Sequence, residues 1–225
     1  MKNKGKDLHF ILNILGEECT IDGQTVSPPI HQTSNFSFIT VDAIRNAFKD
    51  EFSARLYTRG NNPTVALLRK KLAALADAED ALVLSSGAAA MAAAVMAHVK
   101  TGDHIVCVKK PYSWTERLLS TYLNRFGITS TFVDGTSVAA FEKATITQTK
   151  LYVLESPKTF TFELQDIRSI AHLAKQCGIT TIIDNSYCTS IGQSCIELGI
   201  DIEIHSASKY YGGHSDLIAG VILSN

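Results

Sequence analysis

From about Leu75 onward, short apolar runs alternate with longer segments whose apolar residues recur at helical spacing. Runs rich in β-branched and aliphatic residues, bounded by turn formers, predict strands at 81–84, 105–108, 129–133, 151–154, 180–184, 202–205 and 219–223. The intervening segments predict helices over 88–99, 115–126, 137–144 and 164–177. Strands alternating with helices are the pattern of an α/β fold with a mostly parallel sheet. The first sixty residues lack this rhythm. Ser27-Pro28-Pro29 and Arg59-Gly60-Asn61-Asn62-Pro63 break any long element, which predicts an extended N-terminal arm over 1–60 and one large domain over 61–225.

Composition narrows the functional classes. The chain has 225 residues, 45% of them hydrophobic, enough for a sizeable core. A formal net charge of -1 gives no electrostatic footprint for nucleic acid, and no same-sign run points to a membrane surface. Five cysteines (Cys19, Cys107, Cys177, Cys188 and Cys195) form no CxxC pair and no zinc-like spacing with histidine, so no metal site is expected. They read as reduced thiols, with Cys107 and Cys177 expected to be buried in apolar patterns. The three lysines before the apolar stretch Phe10 to Leu15 imitate a signal peptide, but Asp7 and His9 interrupt it and no cleavage site follows. The expectation is a cytoplasmic protein.

Two segments carry candidate chemistry. The 180–184 strand ends in Asp184-Asn185, and an aspartate at the C-terminal end of a buried strand lies where open α/β sheets bind ligands. Ser206-Ala207-Ser208-Lys209 follows the 202–205 strand. Together they offer a lysine amine, a carboxylate and hydroxyls, the groups that pyridoxal 5'-phosphate (PLP) requires for its Schiff base, its ring nitrogen and its phosphate. Each piece also has an ordinary reading: Asp184 as a turn former or cap, Lys209 as a solvated surface residue. Ser85-Ser86-Gly87-Ala88 stands at a strand-to-helix junction, where free N–H groups can bind an anion or merely form a capped turn. Tyr57-Thr58-Arg59 would suit phosphate capture, and Tyr112, just past a strand end, could offer its face to a planar ring. No GxGxxG, P-loop or G-x-S-x-G pattern competes.

The ordered series of these segments resembles the cysteine/methionine-metabolism (trans-sulfuration) family of PLP enzymes. It runs from Pro29-Ile30-His31-Gln32-Thr33-Ser34-Asn35-Phe36 through Tyr57-Thr58-Arg59, Asn62-Pro63-Thr64, Ser85-Ser86-Gly87, Gly102-Asp103-His104 and Glu155-Ser156-Pro157. It continues through Asp184-Asn185 and His205-Ser206-Ala207-Ser208-Lys209-Tyr210 to Gly213-His214-Ser215-Asp216. The resemblance implies the aspartate-aminotransferase-like fold, PLP fold type I. It further implies that Lys209 holds PLP and shuttles protons, that Asp184 pairs with the pyridinium nitrogen, and that Gly87, Ala88, Ser206 and Ser208 bind the phosphate. Tyr112 would stack on the ring and assist proton transfer or leaving-group departure. Tyr57 and Arg59 would reach the phosphate of a neighbouring subunit, in a homo-oligomer built as a dimer of dimers.

The implied reaction is carbon–sulfur bond cleavage in a small sulfur-containing amino acid. Gly87-Ala88-Ala89-Ala90 and the Glu155 to Glu163 segment resemble bacterial cystathionine β-lyases, with γ-chemistry as the alternative. Methionine γ-lyases usually place a cysteine shortly after the stacking tyrosine, where Ser113-Trp114-Thr115 stands here. Many members carry an asparagine after Glu-Ser-Pro, whereas this chain reads Lys158-Thr159-Phe160. Members continue into a smaller C-terminal domain that supplies an arginine for the substrate carboxylate, and the sequence ending at Asn225 holds no counterpart. The expectation is therefore a whole cofactor cradle with incomplete substrate recognition. An inert PLP-binding fragment and a phosphate-binding α/β domain are the remaining alternatives.

Overall fold

The computed structural model describes residues 7–17, 27–51 and 53–225; Cys19 lies outside them. Two compact units are present, Met1–Ala74 and Leu75–Asn225.

Among the described residues the first unit contains three helices, the first two of them within the 1–60 segment read as an extended arm. These are α1 (Leu8–Asn13), α2 (Val41–Ala47) and most of α3 (Pro63–Ala76). The apolar stretch read as a false signal peptide is α1, capped by Asp7, whose carboxylate accepts the Phe10 N–H. Thr40 caps α2 in the same way. The long helix α3 begins with Pro63 in its first turn, where a missing N–H costs nothing, and the Asn62 side chain accepts from the Thr64 N–H. That Asn-Pro start was readable as a helix signal rather than as a turn.

The second unit is a seven-stranded sheet flanked by helices. In chain order its elements are β1 (Asp80–Leu84), α4 (Gly87–His98), β2 (His104–Val108), α5 (Ser113–Arg117), β3 (Thr129–Val133), α6 (Val138–Ala144), β4 (Thr149–Glu155) and α7 (Ile167–Cys177). There follow β5 (Thr180–Asp184), the short α8 (Thr189–Gly192), β6 (Ile202–His205) and β7 (Gly220–Ser224). Strand order is β1-β7-β6-β5-β4-β2-β3. All neighbouring pairs are parallel except those of β7, which runs antiparallel to both β1 and β6. All seven strands lie close to their expected positions, and the α/β fold with a mostly parallel sheet stands.

The sheet forms because its central strands are buried on both faces. Every residue of β2 and β6 is buried, as are six of the seven in β4, the pattern of parallel strands covered on both sides by helices. Ile167, Ile170, Ala171 and Ala174 give α7 one apolar stripe against the core. Gly178 ends that helix in the left-handed conformation that glycine adopts without strain.

Three expectations need correction. The helix foreseen over 115–126 is three pieces: α5, a π turn at Leu118–Tyr122 and a 3-10 turn at Leu123–Phe126. Apolar periodicity reports a helical run but not its hydrogen-bond step. Helix α7 starts at Ile167 rather than 164, because Asp166 accepts the Ser169 N–H and so caps it there. Cys177 is exposed at the end of α7, while Cys107 and Cys195 are buried.

The antiparallel strand β7 brings two loops together. Its first residue, Gly220, pairs with Leu84, and its second, Val221, pairs with both Val83 and His205. The chain leaving β1 therefore passes over the start of β7 towards the chain leaving β6. A methyl group at Gly220 would stand 2.0 Å from the Ser86 carbonyl oxygen. Gly220→Ala is expected to lower unfolding free energy by about 3 kcal/mol, since backbone rather than a flexible side chain must move. Urea denaturation of the two proteins measures this.

Candidate active site

The ends of β1, β2, β4, β5 and β6 that point the same way carry nearly all of the predicted chemistry. After β1, Ser86 caps α4 by accepting the Ala89 N–H at 3.1 Å. A Cβ on Gly87 would lie 2.7 Å from the Ser206 Cα, so only glycine lets the α4 start touch the backbone after β6. After β5, the Asp184 carboxylate accepts from the Ser186 N–H at 3.0 Å and hydroxyl at 2.6 Å. The Ser186 hydroxyl in turn accepts the Ser206 N–H at 2.7 Å, tying the β5 and β6 ends together. Ser208 exchanges hydrogen bonds with the backbone of Ala219, just before β7.

Lys209 follows in a turn closed by the Gly212 N–H on the Ala207 carbonyl and the Gly213 N–H on the Lys209 carbonyl. Its side chain reaches across the opening, with Nζ 5.1 Å from the centre of the Tyr112 ring. A cavity of about 730 Å³ opens among these groups. Ser86, Gly87, Ala88, Tyr112, Asp184, Ser206, Ser208 and Lys209 all line it. Seven of the nine predicted site residues thus meet in one place within the second unit. Tyr57 and Arg59 belong to the first unit, where the Arg59 guanidinium lies 4.9 Å from the Tyr57 ring centre and Tyr57 forms a single bridge with Asn35.

Several participants went unnamed in the sequence reading. Ser186 is one, and a run of polar residues between 184 and 186 offers no sign that one hydroxyl links two strand ends. Met91, Met96, Trp114, Leu118 and Ile218 form an apolar wall of the cavity. A second chamber of about 340 Å³ shares Tyr112, Asp184 and Lys209 with the first and adds Glu155, Thr159, Tyr187 and Tyr210 among others. Lys158, where the sequence departs from the common family pattern, pairs with Glu163. Thr159 gives its hydroxyl and N–H to Glu155.

A buried polar cluster lies behind the strand ends. One oxygen of Glu203 accepts from Asn185 and Ser190 and contacts His205 Nε2, each at 2.7 Å. The Ser190 hydroxyl also meets that of Tyr211 at 2.8 Å, whose phenol is pushed up by burial. Asn185 is next to Asp184, and Tyr211 is two residues beyond Lys209. His205 is fully enclosed here. His214 contacts the Gly212 carbonyl at 3.2 Å in its own loop, as a turn-stabilising residue would.

Glu155 ends β4 beside Asp184, its partner in register. Burial pushes its carboxyl above the usual range, and the charge of Asp184 adds to this; hydrogen bonds from Thr159 and from the Tyr112 N–H act the other way. Because protonation is easier in the folded chain, the stability linked to this group is fully present below the ordinary carboxylate range. It is lost as pH rises through the raised value. Glu155→Gln should flatten the fall in stability between those limits, as measured by urea unfolding at a series of pH values.

Residues 15–225 match the family model described as Cys/Met metabolism PLP-dependent enzyme, and the chain belongs to that family. It is 35% identical over 227 residues to the L-methionine gamma-lyase of Pseudomonas deceptionensis, covering all of this chain and 57% of that protein. It is 37% identical over 212 residues to a cystathionine beta-lyase of Staphylococcus haemolyticus, covering 94% of this chain and 52% of the relative. A solved structure from Campylobacter jejuni superposes with a TM-score of 0.91 at 26% identity, covering 97% of this chain and 53% of that one. That protein, named as a candidate O-acetylhomoserine (thiol)-lyase, carries a pyridoxyl-lysine monophosphate. The chain spans about half the length of these relatives.

Family and fold together make this a PLP fold type I large domain, and PLP is its cofactor. The cavity is built to fit: glycine backbone at the α4 start, a carboxylate at a strand end and an amine across from an aromatic face. Among the described residues, no helix is long and apolar enough to cross a membrane.

Proposed function

We propose that this chain is the cofactor-binding part of a carbon–sulfur lyase acting on a small sulfur-containing amino acid, by β-elimination from cystathionine or a similar cysteine S-conjugate. The observation that carries the reading is the convergence of Lys209, Asp184, Tyr112 and the Gly87–Ser206 contact on one cavity. When bound, PLP supplies an aldehyde that links to amines and a ring that accepts electrons from a neighbouring carbon.

The residues of this chain do the rest. The start of α4, with Gly87 and Ala88, offers N–H groups and the positive end of a helix dipole to the phosphate, joined by the Ser206 and Ser208 hydroxyls. Asp184, held by Ser186, keeps the ring nitrogen protonated. Tyr112 would offer its face to the ring. Lys209 would hold the cofactor through its amine and would take the proton from the substrate α-carbon. The Tyr112 phenol, whose ring faces Lys209, would assist proton transfer or departure of the sulfur. Tyr57 and Arg59 bind the phosphate of a neighbouring copy, in a cytoplasmic homo-oligomer arranged as a dimer of dimers.

A second reading, γ-elimination, is favoured by the relatives named as methionine gamma-lyases and by one named as a cystathionine gamma-lyase. Product analysis separates the two. Cystathionine cleaved on the cysteine side gives pyruvate, ammonia and homocysteine, whereas methionine cleaved at its γ-carbon gives 2-oxobutyrate, ammonia and methanethiol. Pyruvate formation from cystathionine exceeding 2-oxobutyrate formation from methionine is the expected result.

Cofactor binding is checked on the chain itself. Purified protein given PLP should show a visible absorption band that borohydride abolishes by fixing the cofactor to Lys209, and Lys209→Ala should lack the band. A colourless protein after PLP addition would overturn the reading.

A further inference from the structure

We infer that Glu155 is a positioning residue of the cofactor site, fixing the backbone of Tyr112 so that its ring stands where the PLP ring must stack. The inference rests on the reading of the cavity as a PLP site.

Tyr112 follows a sharp turn after β2. Lys110 has a positive φ of 52°, and Pro111 has no N–H to anchor the loop. Tyr112 itself precedes α5 without any side-chain cap. The first amide after this turn is its own, and it donates to Glu155 Oε2 at 2.6 Å. The other carboxylate oxygen is occupied as well, by the N–H of Thr159 at 2.7 Å and by the Thr159 hydroxyl.

Three donors thus converge on a group that only accepts when ionised. A glutamine would turn an NH₂ towards at least one of them. The arrangement bridges neighbouring strands, since β2 and β4 are paired and Glu155 is the last residue of β4. Glu155 is 6% exposed and lies beside Asp184. Burying a carboxylate next to another is costly, and an apolar side chain would fill the space at less expense. What the carboxylate adds is a short, directed bond to the backbone N–H of Tyr112, the residue whose ring faces Lys209.

The role predicts non-additivity. Apo forms of the unmutated chain, Glu155→Gln, Tyr112→Ala and the double variant would be titrated with PLP, following affinity and the circular dichroism induced in the visible band. Glu155→Gln should weaken PLP about tenfold, the size of one lost charge-assisted hydrogen bond, and reduce the induced dichroism. In the Tyr112→Ala background it should change neither, because there is no ring left to place. An equal loss in both backgrounds, or unchanged affinity and dichroism in Glu155→Gln, overturns the inference. If Glu155→Gln does not fold, Thr159→Val replaces it: by freeing the carboxylate to turn, it should weaken PLP about threefold in the presence of Tyr112 and not in its absence. No visible band in the unmutated chain would defeat the PLP reading itself; a normal band with additive losses defeats only the role of Glu155.

Discussion

The site depends on two backbones being allowed to touch. Where β1 and β6 end, the start of β7 withdraws its side chain at Gly220, and the start of α4 withdraws its own at Gly87. The Ser86 carbonyl and the Ser206 Cα occupy the space that Cβ atoms would have filled. From that contact follow the approach of the α4 N–H groups to Ser206 and the turn that carries Lys209. The aligned strand ends supply direction, but without the two glycines the start of α4 and the turn that carries Lys209 would be held apart.

A second layer of constraint is polar. Asp184, Ser186 and Ser206 form one continuous hydrogen-bonded chain across β5 and β6. Behind it, Glu203 collects Asn185, Ser190 and His205, reaching Tyr211 through Ser190. A buried acid and histidine contribute little net stability compared with apolar packing. Their value here is geometric: they are neighbours in sequence of the residues that face the cavity. The loops beyond the strands thereby inherit the rigidity of the sheet rather than the mobility of a surface.

Much of the second unit was legible because parallel strands buried on both faces announce themselves as apolar runs, as Ile105 to Val108 does. The site was legible to the extent that its residues sit immediately after such runs: Asp184, Ser206 and Lys209 are marked by position as much as by type. Contacts between distant segments were not. Nothing in Ser186 or Glu155 tells which backbone N–H each will accept, because that depends on strand order, and strand order is not written locally. The helices of the first unit were missed for a different reason. With Gly, Pro and Asn at their margins they read as interruptions, although Asp7, Thr40 and Asn62-Pro63 are cap signals.

The place of β7 in the sheet has a consequence for how the chain acquires its shape. The strand nearest the start of the second unit, β1, touches no other strand but the last one, and Glu79 bonds to Asn225 across 146 residues of sequence. During synthesis β1 must wait beside an unmade partner while β2 to β6 can already assemble among themselves. Closing such a long loop comes late and costs entropy that no local contact returns. The segments that meet at the cavity, one after β1 and one after β6, consequently come together only when β7 slides between their strands. Assembly of the sheet and creation of the cavity are the same event.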